Sequence, residues 1–166
     1  MKRFFLTIFT FLFLFHAISG QTFLGVTSPG INEADLSIVD IQTCDTTVIM
    51  SITDPPLEER FGDIAIHPDG TIYGVTVFSS PSGPGNLYTI DTLSKTLQLV
   101  VDDNSLEQSM KFDATGILYT VEDELKTYNP ITGQVVNKGS LPPGLEVFGA
   151  AGFVNNKFIG ISPVNE

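Results

Sequence analysis

Little in this chain is suited to covalent or acid–base chemistry. Its 166 residues hold one cysteine, two histidines and no tryptophan. A single cysteine excludes an intrachain disulfide, so the fold must stand on packing. A lone histidine in the region beyond residue 20, without cysteine partners, does not make a zinc site. No Gly-x-Ser-x-Gly phrase marks an activated serine, and no glycine-rich loop precedes a helix to cradle phosphate. Basic residues are scarce: eight Lys and Arg stand against nineteen Asp and Glu, for a net charge of −11. So acidic a surface repels nucleic acid and anionic lipid, and neither is expected as a partner. Helical periodicity is almost absent. Only "LEERF" (57–61) and "SLEQSM" (105–110) read as single helical turns.

What is present starts with an address. Lys2 and Arg3 precede an apolar run, Phe4 to Phe15, and "HAISGQ" then offers small residues for cleavage. Residues 1–20 are expected to be a secretory signal peptide, because the run is short of the ~20 residues a spanning helix needs. No second run of membrane length follows it, so no span is expected after cleavage. The chain is expected to be exported, to the extracellular space, the cell surface or the periplasm. All nineteen acids lie beyond the cleavage site.

The remaining residues repeat themselves. "IAIHPDGTIYGVT" (64–76) lies over "MKFDATGILYTVE" (110–122), and "AAGFVNNKFIGIS" (150–162) is a third copy. "FLGVT" (23–27) matches the second half alone. A second phrase recurs as "LSIVDIQT" (36–43), "LYTIDTLS" (87–94) and "LKTYNPIT" (125–132), each followed by a β-rich run. Val, Ile, Tyr, Phe and Thr dominate these segments, and Gly, Pro, Asn and Asp bound them, which is the chemistry of strands and hairpins. Gly70 and Gly116 suit turn positions of positive φ, with Asn156 the next best choice. At Asp40, Asp91 and Asn129 a side-chain oxygen is placed to accept from nearby backbone N–H groups. "SSPSGPG" (79–85) reads as a loop. Four strands in about 40–50 residues, written more than once, predict an all-β fold of β-propeller blades.

"HPDGTIYGVT…NLYTIDTLSKTLQLV" resembles the blades of secreted bacterial propellers of the NHL and lactonase-like (YVTN-like) kind. The resemblance covers essentially all of 21–166. By the phrases, 23–52 is an incomplete blade lacking its first strand, 61–101 and 109–139 are blades, and 148–166 is a truncated one. That is about three blades' worth of four-stranded antiparallel units, and the ring does not close on them. The expectation is an N-terminal part of a longer propeller. The alternative is a chain that associates with a copy of itself through open blade edges.

Candidate sites are few. His67, at the end of a first strand, is expected to pack in a turn, with Asp113 and Phe153 as its repeat partners. Cys44 is expected to be a half-buried residue beside a turn. In lactonase-like propellers a metal sits at the channel, held near the starts of inner strands. The resemblance puts Asp63, Ser109 and Gly149 at those places. Asp102-Asp103-Asn104 reads as an oxygen-rich loop on the same rim, as do Asp54, Glu58 and Glu59 before another blade. Asp63, Asp102 and Asp103 are thus the candidate metal ligands, for calcium, which takes several oxygens. No other cofactor and no catalytic residue is expected. The reading is a secreted, non-catalytic propeller that binds a protein or glycan. The alternative is the N-terminal part of a lactonase-like, metal-dependent hydrolase.

Overall fold

The computed structural model describes residues 22–30, 33–52, 59–78, 85–106, 109–143, 151–154 and 157–160. The signal peptide, the 79–84 loop, Asp54, Glu58, Gly149 and Asn156 lie outside them. Every regular element among the described residues is a β-strand. Sheet 1 contains β1 (Thr22–Gly30), β2 (Glu33–Asp40) and β3 (Thr46–Ile52), paired in that order. Sheet 2 runs β4 (Glu59–Ile66), β5 (Ile72–Phe78), β6 (Gly85–Asp91) and β7 (Thr96–Leu106). Sheet 3 runs β8 (Ser109–Phe112), β9 (Leu118–Val121), β10 (Glu124–Asn129) and β11 (Gln134–Ser140). Sheet 4 is the hairpin β12 (Ala151–Val154) and β13 (Lys157–Gly160). All pairings are antiparallel between sequence neighbours. This is the fold of propeller blades, with the sheets unclosed. The two segments read as helical turns are strand where described: Glu59–Phe61 opens β4, and Ser109–Met110 opens β8. Cross-strand pairing satisfies their backbone groups better than an isolated turn, which has a costly nucleus.

The sheets stack face to face along their first strands, β1 beside β4, β4 beside β8 and β8 beside β12. Sheet 2 is therefore covered on both sides. Strand alternation sends Tyr73, Val75 and Leu87 one way, into a core with Met110, Phe112, Leu118 and Tyr128 of sheet 3. It sends Tyr88 and Ile90 the other way, against Ala34, Leu36, Met50 and Ile52 of sheet 1. Each Val, Leu, Ile, Met or Phe among them contributes roughly 1.5–3 kcal/mol on full burial. Sheets 3 and 4 meet through rings: Tyr119 lies 5.0 Å from Phe153 and 6.0 Å from Phe158.

That contact corrects the third copy of the repeat. Phe153 pairs with Phe158 across the hairpin as Phe112 pairs with Leu118. It meets Tyr119 at the same 5.0 Å at which Phe112 meets Tyr73. Phe153 is thus the counterpart of Phe112, not of His67 and Asp113. Val154 is in strand, paired with Lys157, and the connection is one residue shorter than in the other copies.

The hairpins between the third and fourth strands share one turn. Asp40 Oδ1 accepts the N–H groups of Gln42 (2.7 Å) and Thr43 (3.3 Å). Asp91 Oδ1 does the same for Leu93 and Ser94, and Asn129 Oδ1 for Ile131 and Thr132. The residue four beyond each is left-handed: Cys44 at φ 61°, Lys95 at 58° and Gly133 at 70°. Only glycine takes that region without strain. Cys44 is exposed rather than half-buried, because this turn projects from the sheet.

Three stability changes are expected. Lys95→Gly is expected to stabilise the chain by a few tenths to about 1 kcal/mol, while Gly133→Ala costs about 1 kcal/mol. Urea midpoints of the two variants check this; shifts of the same sign would refute it. A Cβ at Gly74 would stand 2.4 Å from the Phe61 ring. Gly74→Ala is accordingly expected to cost about 1–3 kcal/mol by expelling that ring from the core.

Candidate functional site

Asp63 owes its position to a β-bulge. In the β4–β5 register Phe61 opposes Thr76 and Asp63 opposes Val75, leaving Gly62 unpaired. The extra residue changes the phase of the strand. Phe61 turns toward sheet 1, and Asp63 turns toward sheet 3. There Oδ2 accepts the Met110 N–H at 2.9 Å, while Oδ1 accepts the Ile64 N–H at 2.8 Å. The carboxylate thus ties the first strand of one sheet to the first strand of the next. Burial pushes its carboxyl above the usual range, against the pull of those two N–H groups and of Lys111.

Asp102 and Asp103 lie in β7, not in a free loop. Pairing jumps from Leu87↔Val101 to Gly85↔Leu106, so residues 102–105 form an excursion within the strand. Backbone hydrogen bonds on both sides of the excursion keep it in the sheet. Their side chains lie outside the described residues. Val101 shares a transverse row with Asp63 through Val75 and Leu87. It stands three strand spacings away, about 14 Å. The candidate ligands therefore start from opposite edges of sheet 2. Among the described residues no three His, Cys, Asp or Glu side chains gather as a metal group.

His67 sits at the other end of β4, in a turn closed by its own N–H to Thr71 O and by Gly70 N–H to its carbonyl. Its Nδ1 lies 2.8 Å from Asp69 Oδ1 and 3.3 Å from the Asp69 N–H. The shorter contact puts the proton on Nδ1. Nε2 faces the next sheet, where a Cβ at Gly116 would stand 2.4 Å from it. The ring meets Phe112 edge-on at 4.9 Å, and Tyr73 packs on the same Phe112. Burial raises the phenol pKa of Tyr73, with Asp69 adding to it, and burial raises that of Tyr128, with Tyr73 adding to it. This seam gathers His67, Asp69, Tyr73 and Tyr128, a grouping the sequence reading did not assemble. Their spacing is visible only once sheets 2 and 3 are stacked. One imidazole nitrogen thus meets Asp69, and the other faces Gly116. Beside this turn is an open depression of about 490 Å³, lined by Thr71, Ile72, Thr89, Asp91 and Gln98 among others.

No protein-family model matches the chain, and no curated protein matches it. Solved structures do. The crystal structure of puromycin hydrolase is similar at a TM-score of 0.50 and 15% identity, over 86% of this chain and 23% of that one. TolB from Acinetobacter baumannii gives 0.49 and 14% identity, over 82% of this chain and 36% of that one. Both neighbours are propeller-type proteins. The likeness to puromycin hydrolase speaks for the fold alone. The chain spans less than a quarter of the length of puromycin hydrolase.

Two carboxyls should titrate in opposite senses. The Thr71 N–H, and then His67, hold Asp69 down to about 2. Its contribution to stability is complete above the ordinary carboxylate pKa and is lost as pH falls toward about 2. The raised Asp63 does the reverse: it favours the fold at acid pH, and that contribution fades as pH rises through its pKa. Carboxyl-carbon NMR titration checks both. His67→Gln is expected to move the Asp69 midpoint upward, and an unmoved midpoint would contradict the pairing.

Proposed function

We propose that this chain is an exported β-propeller repeat protein, or a fragment of one, of the NHL and YVTN-like kind, that binds a protein or glycan and does no chemistry of its own. The observation carrying this is that the two best-placed candidates for acid–base or metal work are committed to structure. Asp63 holds two backbone N–H groups across a sheet seam, and His67 is packed between Asp69, Phe112 and Gly116. A carboxylate whose oxygens accept strong N–H bonds is poorly placed to relay protons. The repeat phrases support the family reading, and the apolar N-terminal run supports export.

Hydrolysis assays test it. The chain, and any longer polypeptide carrying it, is expected to turn over lactones and phosphoesters at the uncatalysed rate, with or without calcium. Chelation is expected to leave the melting midpoint unchanged. Metal-dependent turnover abolished by Asp63→Asn would overturn the proposal in favour of a propeller hydrolase.

A further inference from the structure

Sheets 1 and 4 end the stack, and each holds fewer strands than sheets 2 and 3 among the described residues. The internal seams show what such a face packs against. Tyr73 of sheet 2 meets Phe112 of sheet 3 at 5.0 Å. Tyr119, its repeat counterpart, meets Phe153 at 5.0 Å and Phe158 at 6.0 Å on sheet 4. Ile159 is the third member of that series. It is next to Phe158 in β13, so alternation turns it away from sheet 3, and it is 49% exposed. At the other end, Phe23 holds the position of Ile72, Leu118 and Phe158. Leu118 is fully buried against sheet 2, whereas Phe23 is 53% exposed on the outer face of sheet 1. Val48 on the same face is 51% exposed. On its open side, β1 carries no partner strand among the described residues, where sheets 2 and 3 carry β4 and β8.

We propose that the outer face of sheet 1, around Phe23, docks sheet 4 of a second copy of this chain, with Ile159 of one copy against Phe23 of the other. The contact continues the seam already made twice within the chain, an apolar residue of one sheet on a ring of the next. Its two halves are different surfaces, so the association is head-to-tail. It also covers an apolar face, which otherwise invites unspecific association. The inference stands apart from the choice between binding and catalysis.

Sedimentation of the full chain over a wide concentration range tests it. Reversible growth in mass is expected. Phe23→Asp and Ile159→Asp are each expected to weaken association at least tenfold, since either buries an unpaired carboxylate in the seam. Both positions are about half exposed, so both variants should keep the parent's far-ultraviolet spectrum and cooperative melting. Phe23→Leu and Ile159→Val should associate like the parent. Mixing the two Asp variants should restore a complex, because one keeps an intact sheet 4 face and the other an intact sheet 1 face. A full chain that sediments as a monomer throughout overturns the proposal; further blades of one polypeptide would then be what covers the face. Association untouched by both Asp variants, or no recovery on mixing, overturns it as well.

Discussion

A four-stranded antiparallel sheet whose strands alternate apolar residues on both sides cannot be stable alone, and the rest of this structure depends on that. Sheet 2 shows it most plainly. Val75 and Leu87 leave one face and Tyr88 and Ile90 the other, and all four are buried only because sheets 3 and 1 lie on either side. The repeat in the sequence is the consequence. A unit that must be covered by its like is most simply made by writing the same strand pattern again. Asp63 adds a directed bond to this undirected packing. Its carboxylate fixes how β8 sits beside β4 by accepting the Met110 N–H.

The turns engage several of this acidic chain's carboxylates. Asp40, Asp91 and Asp113 spend their oxygens on backbone N–H groups two to four residues away. These bonds satisfy donors that a hairpin leaves unpaired and hold the turn by local contacts alone. The same geometry puts Cys44 and Lys95 where glycine would be relaxed, as Gly133 is in the third copy. Asp63 and Asp69 mark the two electrostatic extremes. One carboxyl is stripped of water in a seam, and the other stands in solvent among donors, so the folded state moves them in opposite directions.

Much of the fold was legible in the residues. Strand alternation in Leu87-Tyr88-Thr89-Ile90, the Asp- and Gly-bearing turns and the recurrence of whole phrases are local properties, and local backbone chemistry determines them. The reading failed where spacing in sequence does not measure spacing in space. Phe153 was aligned by counting residues, yet its ring takes the place of Phe112 because the hairpin is one residue shorter. Asp102 and Asp103 read as a free loop, yet they lie in β7, with two strands of sheet 2 between it and β4.

By itself, then, the sequence determined the all-β class, the blade-like repeat, the positions of the turns and the scarcity of catalytic side chains. Pattern and composition suffice for those. Only the tertiary structure decided that a bulge at Gly62 turns Asp63 across a seam, that His67 closes on Gly116 and Phe112, and that Phe23 and Ile159 stand uncovered at opposite ends. Each of these is a relation between sheets. A single extra residue or a shortened turn reverses which face a side chain occupies, and no local preference records what lies opposite.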